Sequence, residues 1–269
     1  MPAGSSPVPG PNPAASAGRD RTTVVTYAIL FAATTAAWVH VLWTAMTDDM
    51  AGMDMAMSPA VLEGLAFVAA WTVMMAAMML PSALPMIALF AATQRNTAAP
   101  TRTALPVTVF TLIYLGLWAV TGVPIYFVSV ALSVLATDVR AYTVAGMLVV
   151  AGIFQLSPLK HVCLRRCRSP LGFFLGHWRG GWRGSLAIGW AHAAYCLGCC
   201  WALMVVLVGA GAMGLAWVLL IAAVVASEKL LPRGERIAVI TGLALVLLGL
   251  AVAVRPELAV ALRGGGPSM

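Results

Sequence analysis

Charge is scarce in this sequence: Asp, Glu, Lys and Arg together make up 9% of its 269 residues. That is too little to clothe the surface of a soluble domain, and long runs carry none at all. The soluble globular class is excluded. Also missing are a glycine-rich phosphate loop, a triad-like grouping and a repeat of solenoid period. Five cysteines is an odd number, and Cys199 and Cys200 are adjacent, so a secreted disulfide framework does not fit. The basic residues do not cluster with stacking aromatics, which argues against nucleic acid as a partner.

What is present is apolar: 61% hydrophobic residues and a mean hydropathy of +0.94. Uncharged runs predict spans near 24–46, 59–91, 104–135, 142–157, 185–208, 215–231 and 237–254. Backbone polar groups in lipid must be satisfied within each segment, so these runs become helices. The expected fold is all-α, a polytopic transmembrane helix bundle of about seven spans. The second and third runs are overlong and contain Pro81, Pro85, Pro106 and Pro124, which predicts kinks or tilts. Residues 1–22, rich in Pro, Ser, Gly and Ala, read as a disordered cytoplasmic tail, 23–256 as the transmembrane domain and 257–269 as a short tail. No small-residue cleavage site follows the first run, so it reads as an uncleaved span.

Alternate sides of this seven-span arrangement hold very different numbers of basic residues. Thirteen of the sixteen Lys and Arg fall on the side of the amino terminus, and only Arg140, Arg255 and Arg263 on the other. The positive-inside rule then makes the amino terminus cytoplasmic. Two connections stand out: an outer Met/Asp loop at 46–58, and a cytoplasmic loop at 157–184 carrying Cys, His and Arg.

The chemistry concentrates at His192, Cys196, Cys199 and Cys200, whose offsets of 0, +4, +7 and +8 place them on one helix face. Soft thiolate and imidazole donors suit Cu(I) first and zinc second. The competing reading is packing, because free Cys behaves as a small buried hydrophobe where helices touch. One helix face cannot bring all these donors to one ion. Met74 and Met78, an i, i+4 pair in the second span, are the expected completion, although Met also fills gaps in kinked helices. In the cytoplasmic loop, His161, Cys163 and Cys167 form a second candidate group. Arg165, Arg166 and Arg168 should favour the thiolate there, or else anchor the stretch on anionic membrane lipid. Met50, Met53, Met55 and Met57, with Met46, give the outer loop thioethers that can hold Cu(I) where thiols would oxidise. Glu228 and Lys229, at the inner end of the sixth span, are explained by a mutual salt bridge or by snorkelling.

Four blocks carry a resemblance: Trp71 with Ala77-Met78-Met79-Leu80-Pro81 and Pro85; Ser157-Pro158-Leu159-Lys160 with Cys163-Leu-Arg-Arg-Cys167-Arg168-Ser-Pro170; Tyr195-Cys196-Leu-Gly198-Cys199-Cys200-Trp201-Ala-Leu-Met204; and Glu228-Lys229. Together they resemble a bacterial family of uncharacterised integral membrane proteins, described as predicted metal-binding. The resemblance spans roughly Trp71 to Arg236 and implies a multi-pass protein of the bacterial inner membrane that handles a metal, copper in the first place. A copper chaperone or a metalloenzyme subunit is the partner such a role calls for. Two other readings stay open. One is a membrane thiol-disulfide oxidoreductase using the C-x-x-C pair Cys196/Cys199, and the other a non-catalytic assembly protein.

Overall fold

The computed structural model describes residues 13–51, 60–95, 100–169, 172–173, 181–211 and 214–262. Among these, nine helices and no strands are found: α1 (Pro13–Ala51), α2 (Ala60–Arg95), α3 (Pro100–Val134), α4 (Thr137–Leu156), α5 (Pro158–Arg168), α6 (Gly181–Gly209), α7 (Leu215–Leu230), α8 (Gly234–Val254) and α9 (Glu257–Leu262). Six of them, α1, α2, α3, α4, α6 and α8, are long and apolar enough to cross a membrane. The sixth expected span is α7, whose 16 residues reach only ~24 Å at the helical rise, against a hydrocarbon core of about 30 Å.

Three boundaries differ from expectation. Helix α1 begins at Pro13, inside the stretch read as a disordered tail, and runs to Ala51, into the expected outer loop. The 157–184 connection, expected to be a cytoplasmic loop, contains α5, and the expected final tail contains α9. Each is a short polar or mixed segment, where apolar periodicity gives no signal.

Helix α6 sits at the centre, touching α3, α4, α5 and α7, while α3 packs between α2 and α6. The buried core follows these contacts, with Trp71, Met74, Met75, Met78 and Met79 from α2, Phe110, Tyr114 and Trp118 from α3, and Cys196, Cys199, Cys200 and Leu203 from α6. Trp71 Nε1 donates to Thr121 Oγ1 at 3.1 Å, fastening α2 to α3, and Gly122 leaves the space that the Trp71 ring fills. At its far end α6 stops at Gly209, and Gly211 takes φ of 99°, a left-handed turn that sends the chain into α7. The tightest helix pair is α4 with α8, where Gly152, Gly242 and Gly249 bring the two backbones together.

Candidate metal centre

Helix α5 starts where Ser157 accepts a hydrogen bond from Lys160 N at 3.2 Å and Pro158 fills the first turn, a combination that fixes the start of a helix. Its last turn carries Arg165, Arg166 and Arg168, cations suited to a helix carboxyl end. Arg168 donates to Leu231 O in the turn between α7 and α8. Arg165 pairs with Glu235 at 2.8 Å, an exposed bridge contributing at most about 1 kcal/mol.

The buried fastening of α5 is stronger. Lys160, fully buried, meets Glu228 Oε2 at 2.6 Å and donates to Cys199 O at 2.5 Å, while Gln155 Nε2 donates to Glu228 Oε1 at 2.7 Å. One carboxylate of α7 thus holds α4 and α5, and Lys160 ties both to α6. The expected Glu228–Lys229 pair does not form, because successive helix residues point about 100° apart and Glu228 is already engaged.

This docking brings Cys167 to α6. Its Sγ lies 3.7 Å from Cys199 Sγ, which lies 3.4 Å from Cys200 Sγ and donates to Cys196 O at 3.2 Å. Cys196 Sγ contacts Lys229 Nζ at 3.0 Å and the Tyr114 hydroxyl at 3.2 Å. Lys229 also reaches Ser82 Oγ at 3.2 Å and Met79 Sδ at 3.8 Å. The centre therefore consists of four thiols from α5 and α6, one ammonium from α7, a phenol from α3 and a thioether from α2. Gly198 allows the close approach, since a Cβ there would stand 3.0 Å from Cys163 Sγ.

The second helix that completes the stripe is thus α5, through Cys167. Met74 and Met78 are buried in the core, but the α2 sulfur beside Lys229 is that of Met79. His192 lies one turn before Cys196 at 3% exposure, between the rings of Tyr114 (5.5 Å), Phe110 (5.8 Å) and Phe173 (5.9 Å). Both its ring nitrogens lack a hydrogen-bond partner, which costs about 1–3 kcal/mol for a buried polar group. His161 lines a surface pocket with Glu235, Arg236, Val239 and Ile240. Met53, Met55 and Met57 lie outside the described residues, and Met50 falls in the last turn of α1. Among the described residues no three or more His, Cys, Asp or Glu side chains converge as ligands on one point. The thiols are gathered as neighbours, not yet as a coordination shell.

Sequence reasoning passed over Met79 in favour of Met74 and Met78, and missed Tyr114, Ser82 and the role of Lys229. A lysine at the end of an apolar run was itself the signal for the last of these.

The arginines of α5 do not produce the expected thiolates. The Cys167 thiol is held well above its ordinary range, first by its hydrogen bond to Cys196 and then by burial, with Cys199 acting in the opposite sense. Burial pushes the Cys163 thiol up, with Lys160 opposing. Both side chains therefore favour the protonated, unreactive form. Alkylation of Cys163 and Cys167 by iodoacetamide should be slower at pH 8 than that of an exposed cysteine and still rise beyond pH 9. Site-resolved mass spectrometry gives the rates, and a plateau by pH 8.5 would contradict the assignment.

The fold is an all-α bundle with six helices long and apolar enough to cross a membrane, closed around a buried thiol cluster. The chain belongs to the PpoB2 copper chaperone family, whose match covers residues 68–252. That span includes all four clustered thiols, Met79, Tyr114, Glu228 and Lys229, and supports copper handling as the general role. No curated protein and no solved structure matches the chain.

Proposed function

We propose that this chain is a multi-pass protein of the bacterial inner membrane, with a cytoplasmic amino terminus, that takes up Cu(I) at Cys167, Cys196, Cys199 and Cys200 and passes it to a copper-requiring partner. The observation that carries this reading is the pair of Sγ–Sγ separations of 3.4 and 3.7 Å drawn from two helices. Two sulfurs bound to one ion at about 2.3 Å stand ~3.8 Å apart in tetrahedral geometry. Each of these two pairs therefore already stands within a few tenths of an ångström of the spacing of two sulfurs on one ion. Thiolates are the ligands that prefer Cu(I), and the family match supports copper as the cargo.

Membrane placement is supported by large apolar side chains on the outside of the bundle, among them Phe31, Phe127, Ile240 and Leu247, each at least 65% exposed. An aqueous surface would not carry so many. His192, with two unpartnered nitrogens one turn from Cys196, is proposed as an accessory ligand that moves with the metal. The outer methionines, Met50, Met53, Met55 and Met57, are proposed to collect Cu(I) before it enters. Cys163, beside Gly198, would hold or relay it on the cytoplasmic side.

The test is anaerobic Cu(I) titration of detergent-purified protein against a chromophoric chelator. Wild type should retain copper, and Cys199→Ser should lose at least about 100-fold in affinity, since loss of outer-shell groups alone costs 10–100-fold. Wild type that surrenders all its copper to a chelator of micromolar affinity would overturn the proposal.

A further inference from the structure

The ammonium of Lys229 is placed as no packing residue would be. It is 8% exposed, and three acceptors surround Nζ: Cys196 Sγ at 3.0 Å, Ser82 Oγ at 3.2 Å and Met79 Sδ at 3.8 Å. That is the donor pattern of an ammonium, with a partner for each of its three hydrogens. The nearest carboxylate in sequence, Glu228, is turned to Lys160 and Gln155. The countercharge that Lys229 faces is therefore the thiol cluster itself.

We infer that Lys229 is the specificity-determining residue of the centre, a fixed positive charge that favours a monovalent soft ion over a divalent one. The inference rests on the proposed metal site. A monovalent ion held by two of the four cysteines as thiolates, with the other two still protonated, carries a charge of −1, and Lys229 brings the assembly to zero inside the bundle. A divalent ion on the same two thiolates is already neutral, so Lys229 leaves an uncompensated +1 where burial makes charge most costly. It regains neutrality only by taking a third thiolate. In addition, each unit of charge on the metal is repelled by the ammonium, an interaction that strengthens as water is excluded. Softness alone does not make this distinction, because thiolates also bind soft divalent ions.

Ag(I) and Cd(II) separate charge from softness. Both are soft, neither changes oxidation state here, and they differ by one unit of charge. The experiment measures the Ag(I) and Cd(II) affinities of full-length wild type, Lys229→Met and Lys229→Arg in detergent. The methionine variant is expected to shift the ratio toward Cd(II) by at least about tenfold. The added thioether would favour Ag(I), so it works against the expected shift. Arginine should keep the wild-type ratio. An unchanged ratio in Lys229→Met, with both metals bound, overturns the charge-filter role and leaves the proposed function standing. Failure of wild type to bind Ag(I) or Cu(I) overturns both. Should Lys229→Met not fold, wild type alone carries a second readout: bound Ag(I) should survive a tenfold excess of Cd(II), and its displacement would overturn the inference.

Discussion

Replacing Glu228 with alanine is expected to destabilise the protein by about 3–5 kcal/mol, the usual consequence of leaving one member of a buried ion pair without its partner. The carboxylate is 1% exposed and accepts from Lys160 at 2.6 Å and Gln155 at 2.7 Å, so its removal orphans a buried ammonium and a buried amide together. Because Lys160 also holds Cys199 O, the loss loosens α5 from α6 and carries Cys167 away from Cys199. Two measurements follow it: a fall in melting temperature of roughly 10 °C, and faster maleimide labelling of Cys167. The double variant Lys160→Met/Glu228→Met should recover much of the stability, as buried pairs replaced by apolar side chains often do. Glu228→Ala melting within 2 °C of wild type would show that the pair does not hold α5 in place.

The second large effect is expected at Gly242. A Cβ there would stand 2.9 Å from Gln155 Cβ, 2.9 Å from Gly152 O and 3.0 Å from Leu156 Cδ2. Part of the obstruction is backbone, so α8 must move away from α4. Gly242→Ala should cost about 1–3 kcal/mol by overpacking, and Gly242→Leu should prevent the pair from closing. Gly146 on α4 is the control, since nothing lies within 4 Å of a Cβ there. Gly146→Ala should be neutral or stabilising by up to about 1 kcal/mol through helix propensity. Equal losses at the two positions, measured by thermal unfolding in detergent, would sink the steric account. Since Gln155 lies beside Gly242, the alanine variant should also disturb the Glu228 network and slightly increase labelling of Cys167.

The helices were legible because uncharged runs of membrane length admit one backbone solution, and Pro81, Pro85, Pro106 and Pro124 lie within helices as expected. The face of each helix was not legible. Helix α2 is apolar all the way round, so nothing in its pattern distinguishes Met78 from Met79, although one residue rotates the side chain by about 100°. His192, Cys196, Cys199 and Cys200 could be named because polar and soft donors stand out in an apolar run. Cys167 was named too, but assigned to a separate site, because its union with Cys199 depends on α5 folding back through Lys160. That return is a tertiary event, and the arginines around Cys167 suggested activation when its hydrogen bond to Cys196 and its burial impose the reverse.

The partner of Lys160 lies 68 residues further along the chain. At ribosomal rates of roughly 5–20 residues per second, Lys160 emerges about 3–14 s before Glu228. All four thiols are made within that interval, the last of them, Cys200, 28 residues before the carboxylate that docks α5 and 29 before the ammonium that faces Cys196. A chain in synthesis therefore holds the thiols without the frame that gathers them. The order of the sequence itself delays closure of the thiol cluster until α7 arrives.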